Sequence, residues 1–271
     1  MSGPELTSVR SARVQSVRRL TKRAFRARER RFLAEGPQAV REALASPGAV
    51  EAVYATRQVV DGHADLVAAA SAAGTPVTVV SGEVMAAMCQ TVTPQGIVAV
   101  CPFLDVPLDD VVAGRPRLVV VLADARDPGN AGTVIRTADA AGADAVVLAG
   151  RSVDPYNGKC VRASAGSLFH LPVCTGGDVA TVVAGLRAAG LTVLAADGSA
   201  DDDLDDAADG GALAGPTAWL FGNEAWGLPP EVRGLADRVV KVPIHGRAES
   251  LNLATAAAVC LYASARAHRR A

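Results

Sequence analysis

Leu118–Leu148 reads LVVVLADARDPGNAGTVIRTADAAGADAVVL. Leu118–Ala123 is a short, β-branched apolar run bounded by turn residues, the pattern of a buried strand. Asp127, Pro128 and Gly129 break it, and from Gly132 to Ala141 apolar residues recur at helical spacing, so Gly132 is expected to open a helix. Ala145–Leu148 is a second apolar run. A strand, a helix and another strand in so short a span make a crossover unit, which joins parallel strands.

The alternation continues downstream. Strands are expected at Leu171–Val173, Thr192–Ala195, Thr217–Phe221 and Arg238–Val242, and helices near Cys160–Ala165, at Val179–Ala189 and from Leu251 to about Ala267. This predicts an α/β fold, a parallel sheet covered on both faces. Upstream a smaller series runs through a helix at Pro37–Ala45, a strand at Val50–Ala55, a helix at Ala64–Ala73, a strand at Pro76–Val80, a short helix at Gly82–Met88 and a strand at Gly96–Cys101. With 271 residues, the chain suits two domains: residues 1–104, a proline- and acid-containing linker at 105–116, and residues 117–271.

Charge is unevenly placed. The totals of 27 basic and 28 acidic residues conceal ten Lys/Arg between Arg10 and Arg31, against an acidic block at Asp201–Asp209 that reads as a solvated loop. Arg18, Arg19, Lys22 and Arg23 in the basic arm are candidate RNA contacts, since phosphate neutralisation is the usual use of such a run. The bland alternative is a solvated helix face over an apolar stripe at Val14, Val17 and Leu20. Five scattered cysteines form no CxxC pair, so neither a disulfide framework nor a metal site is expected. No apolar run approaches the roughly 18 residues of a membrane span, and the expected setting is cytoplasmic.

In an open α/β sheet the ligand site lies where strands end. Three polar islands occupy such places: Asn130–Asp139 (NAGTVIRTAD), Phe221–Pro229 (FGNEAWGLP) and Pro243–Thr255 (PIHGRAESLNLAT). In the first, exposed amides at the helix start are candidates to hold an anion such as an RNA phosphate, with Asn130 and Arg136 facing the same mouth. In the second, Gly222 at a strand end is read as leaving room for a ligand, with Asn223 and Glu224 beside it. In the third, Ser250 is the expected N-cap of the last helix, leaving Asn252 free for other work.

Taken in order, Asn130, Gly132 and Arg136, then Gly222, Asn223, Glu224 and Gly227, then Pro243, Gly246, Ser250, Leu251 and Asn252 resemble the three motifs of the SpoU (TrmH-type) branch of the SPOUT RNA methyltransferases. The resemblance covers about Arg117–Ala267. A looser one links Phe32–Gly36 and Val40–Leu44 to the ribosomal-protein-like substrate-binding domain of many such enzymes. It implies a trefoil-knotted catalytic domain, a homodimer whose site is completed across the interface, and transfer of a methyl group from S-adenosylmethionine to an RNA ribose 2′-hydroxyl. Ribosomal RNA is the favoured substrate over transfer RNA. Arg136 is implied as the catalytic residue, assisted by Asn130, Glu224, Ser250 and Asn252. Donor-binding positions are Ala195, Ala196, Gly222, Asn223, Gly227, Ile244, Leu251 and Leu253, and Arg162 and Ser164 are further candidate RNA contacts. A guanidinium is a poor base, so Arg136 is read as orienting phosphate and hydroxyl and stabilising developing negative charge. Two other classes remain open: a non-catalytic RNA-binding assembly factor on the same fold, and a nicotinamide oxidoreductase, which the missing GxGxxG disfavours.

Overall fold

The computed structural model describes residues 4–270. It forms two compact units: one runs to Leu104 and takes in Tyr156–His170, the other comprises Asp105–Pro155 and resumes at Leu171.

The first unit carries a mixed sheet of strands β1 (Arg31–Glu35), β2 (Ala52–Thr56), β3 (Val77–Val80) and β4 (Ile97–Pro102) in the order β1-β4-β2-β3. β4 runs antiparallel to β1 and β2, whereas β2 and β3 are parallel. β1 was not among the expected strands, because Arg31 and Glu35 at its ends hide a short buried run. Helix Ala12–Arg19, capped by Ser11, buries Val14 and Val17, and with Leu20 these pack on Leu33, Tyr54, Val84, Met85 and Val100. The apolar stripe and the basic face therefore belong to the same helix. Arg26 is an exception within the arm: it is buried and donates to the carbonyls of Leu20 (3.0 Å) and Thr21 (2.9 Å), closing the end of that helix.

Tyr156–His170, expected to belong with the second domain, is drawn into the first unit by aromatic packing. Tyr156 lies 3.9 Å from Phe103 and 4.7 Å from Phe32 between ring centroids, and its hydroxyl accepts from the Leu104 amide. Burial of three rings outweighs the chain's sequence neighbours here.

The second unit holds six parallel strands: β5 (Leu118–Ala123), β6 (Ala145–Ala149), β7 (Val173–Thr175), β8 (Thr192–Ala196), β9 (Thr217–Phe221) and β10 (Arg238–Val240), in the order β10-β8-β9-β5-β6-β7. Alternate residues face opposite sides, as strand geometry requires. Val119, Val121, Val147, Val193, Ala195 and Leu220 pack with helix Val179–Ala188, while Trp219 meets the closing helix Leu253–His268 through an Nε1 to Ser264 Oγ bond of 2.8 Å. The closing helix also packs on helix Pro128–Ala141.

Two stretches differ from the sequence expectation. A helix at Leu108–Ala113 occupies the expected linker, and Val111 is buried in the second unit's core. Within the acidic block, Asp203 caps a helix at Leu204–Asp209 that buries Leu204 and Ala207. Carboxylates at a helix N-terminus complement its dipole, so charge density did not preclude a helix. No described helix is long and apolar enough to cross a membrane.

Candidate active site

The loops after β8, β9 and β10 surround a cavity of about 580 Å³ in the second unit. Ala196, Gly198, Gly222, Gly227, Gly246, Ala248 and Ala256 keep its walls low, Ile244, Leu251 and Leu253 supply apolar surface, and Asp197, Glu224 and Glu249 supply carboxylates. Its volume is that of a small-molecule site.

The turn after β9 is rigid by construction. Asn223 and Gly227 exchange amide-to-carbonyl bonds of 2.9 Å, Asn223 Nδ2 donates to the Asp124 carbonyl (2.7 Å), and Asn223 Oδ1 accepts from Ala225 (2.8 Å). A Cβ on Gly222 would sit 2.3 Å from the Gly227 carbonyl carbon and 2.6 Å from the Leu228 nitrogen. The returning backbone of its own turn thus requires glycine here, a reason separate from any ligand.

Glu224 joins the second island to the first. Its carboxylate accepts from the amides of Arg126 (2.9 Å) and Asp127 (3.0 Å) and from Asn130 Nδ2 (3.3 Å). Asn130 Oδ1 in turn accepts from Asn252 Nδ2 (3.0 Å), bringing in the third island. One hydrogen-bonded chain, Glu224–Asn130–Asn252, links residues from three distant stretches.

Several expectations need correction. Helix Pro128–Ala141 begins four residues before Gly132, with Asp127 as N-cap accepting from the Asn130 amide at 2.8 Å. At this helix start the amides of Arg126 and Asp127 are engaged by Glu224 and that of Asn130 by Asp127. Arg136 lies six residues beyond Asn130, about 9 Å along the axis and roughly 120° around it. It is exposed and does not line the cavity. The last helix starts at Leu253, and Asn252, not Ser250, is its N-cap, accepting from the Ala254 amide at 2.9 Å. Ser250 instead lines the cavity.

Among the expected donor positions, Ala196, Gly222, Asn223, Gly227, Ile244, Leu251 and Leu253 line the cavity. Ala195 does not; it belongs to the core, facing away by strand alternation. Sequence reasoning missed Asp197, Gly198, Lys241 and Val242, whose only signal was their place just after a strand, and gave Glu249 of the third island no role. In the first unit, Arg18, Arg19, Lys22 and Arg23 are exposed, and the Arg19 guanidinium lies 5.6 Å from the Phe25 ring centre. Arg162 is 3.4 Å from Glu35, whose carboxylate also accepts from Gln90 and Thr91. Ser164 is fully buried and donates to the Val161 carbonyl at 2.8 Å, which removes it from any RNA surface.

A motif-bearing cavity at the strand ends of a parallel α/β unit, in a chain that also carries a separate small α/β unit, defines a class. Residues 117–262 match the SpoU rRNA Methylase family, and residues 11–99 match the MRM3-like substrate binding domain. The chain belongs to the SpoU rRNA methylase family. It is 34% identical over 262 residues to the 23S rRNA (guanosine(2553)-2′-O)-methyltransferase RlmP of Bacillus subtilis (strain 168), spanning 95% of this chain and 98% of that one. The AdoMet-bound rRNA methyltransferase of Sinorhizobium meliloti shares its fold with a TM-score of 0.83, at 32% identity over 97% of both chains. The SpoU methyltransferase AviRb of Streptomyces viridochromogenes, in complex with AdoMet, matches with a TM-score of 0.82, at 31% identity over 96% of this chain and all (100%) of that one.

Proposed function

We propose that this chain transfers a methyl group from S-adenosylmethionine to a ribose 2′-hydroxyl of ribosomal RNA. The observation that carries the reading is that residues of the second and third motifs line one cavity, and that the first motif is tied to both through the Glu224–Asn130–Asn252 chain. The lining suits the donor: small and apolar residues admit flat and aliphatic parts, and the carboxylates of Asp197, Glu224 and Glu249 suit a cationic sulfonium. When bound there, S-adenosylmethionine supplies an electrophilic methyl.

A ribose hydroxyl is a weak nucleophile, so placement does much of the work; well-oriented reactants gain up to roughly 7–11 kcal/mol. Ser250 lines the cavity where it can contact the donor or the hydroxyl, and Asn130 and Asn252 fix the loop geometry around it. Arg136 acts by orienting the phosphate and hydroxyl and by stabilising developing charge. In a single chain it stands apart from the cavity, which supports a homodimer in which Arg136 of one copy serves the cavity of the other. Exposed Ile244, Leu251, Val259 and Tyr262 offer that interface apolar surface. The return of the chain from β10 to Asn130 and the closing helix supports a threaded, knotted path. A cytoplasmic setting accords with an rRNA substrate.

Incubating the protein with methyl-labelled S-adenosylmethionine and rRNA from cells lacking the gene tests the reading. One new ribose methylation, absent from those cells and restored in vitro, is expected. Donor binding without transfer to any rRNA would favour a non-catalytic assembly factor instead.

A further inference from the structure

Trp226 stands out among the residues the site leaves unused. The chain has two tryptophans. Trp219 is wholly buried, while Trp226 is 59% exposed. Leaving so much indole in water forgoes the stabilisation that burial would bring. No core contact explains it: its neighbours Ala225 and Gly227 line the donor cavity, and Trp226 itself does not. Its backbone is held by the paired Asn223–Gly227 bonds, the Asn223 side chain and the Glu224 clamp. An aromatic ring on a preorganised turn loses little entropy when it binds.

The same clamp places a cation close by. Glu224 holds the amide of Arg126, whose side chain is exposed and forms no ion pair among the described residues. An exposed aromatic two residues from Glu224 and an exposed guanidinium whose own amide Glu224 holds thus flank a residue that lines the cavity. Bases stack on such rings without regard to sequence, and guanidinium groups take phosphates.

Building on the proposed activity, we propose that Trp226 stacks against an unpaired nucleobase of the RNA substrate beside the ribose that receives the methyl. Arg126 takes a neighbouring phosphate. The turn after β9 then serves two ligands, its cavity side the donor and its Trp226 side the acceptor strand.

Fluorescence separates the two tryptophans, since Trp219 is shielded. Short oligoadenylate is expected to quench the emission of the full-length protein, and an abasic oligomer of equal length and charge is not. Trp226→Phe should abolish the quenching and keep most activity, because a ring remains. Trp226→Ala should raise KM for rRNA by about 5- to 100-fold, the worth of one stacked base. Its S-adenosylmethionine affinity and its mass in solution should be unchanged. Equal quenching by the abasic oligomer, or an unaltered KM in Trp226→Ala, would overturn the assignment. So would a fall in mass for that variant, which would give the indole to a second copy of the chain. If the unaltered protein methylates no rRNA, the parent reading fails, and the quenching comparison scores Trp226 separately.

Discussion

Glu224 ties the turn after β9 to the segment after β5 through hydrogen bonds from a single carboxylate. It accepts two backbone amides and one side-chain amide, all from the segment after β5, and so fixes where Asn130 stands. Because it is exposed, its contribution to stability is small. Glu224→Gln keeps the shape but replaces one acceptor oxygen with a donor facing another donor. The thermal midpoint should move little, while kcat/KM drops by about a hundredfold, the usual result of a misplacement near 1 Å. A variant as active as the original would remove Glu224 from the site. Arg136→Ala tests a different idea: with the guanidinium away from the cavity, donor affinity by calorimetry should hold while transfer is lost. Weakened donor binding in that variant would contradict the geometry.

At the scale of elements, the apolar seat of the closing helix contains a fully buried side-chain hydrogen bond. Trp219 and Ser264 are both fully buried, and their 2.8 Å bond is the indole's outlet. Ser264→Ala removes the acceptor and leaves a buried donor without a partner, a loss of about 1–3 kcal/mol. Melting should shift down by roughly 2–4 °C per kcal/mol in a chain of this size; an unshifted melt would show that the helix is seated by something else. The sheet strands around Trp219 were plain in the sequence, because apolar runs between turns leave little choice of structure. Helix starts were harder to read. Asp127 and Asn252 both cap, yet each lies next to a better-known signal, Gly132 in one case and Ser250 in the other. Capping is decided by which side chain reaches an orphan amide, a matter of ångströms that spacing does not encode. The strand β1 and the docking of Tyr156–His170 were hidden for another reason: they depend on partners far away in sequence, Cys101 and Val100 for β1 and Phe32 for Tyr156. Glu224, Asn130 and Asn252 from the three motifs are joined by hydrogen bonds, whereas Arg136 lies apart from the cavity in a single chain.

For the whole molecule, a formal charge of −1 says little about how it meets a polyanion. Arg18, Arg19, Lys22 and Arg23 are exposed on one unit, whereas Arg26, in the same run, is spent on the carbonyls of Leu20 and Thr21. Counting positive charges would treat all five alike; their surroundings separate them into two experiments. Replacing the four exposed residues by alanine should weaken RNA binding uniformly and flatten its dependence on salt. Each lost phosphate contact lowers the slope of log affinity against log salt by about 0.7 for single-stranded RNA. Four such contacts predict a change near 3, measured by binding titrations between low and moderate salt. Arg26→Gln should instead lower the melting temperature, because the buried Leu20 carbonyl loses its donor, and should leave the slope nearly as it was. A salt slope that is the same with and without the four exposed cations would mean that the basic arm is a solvated helix face over its apolar stripe, and that RNA is gripped elsewhere.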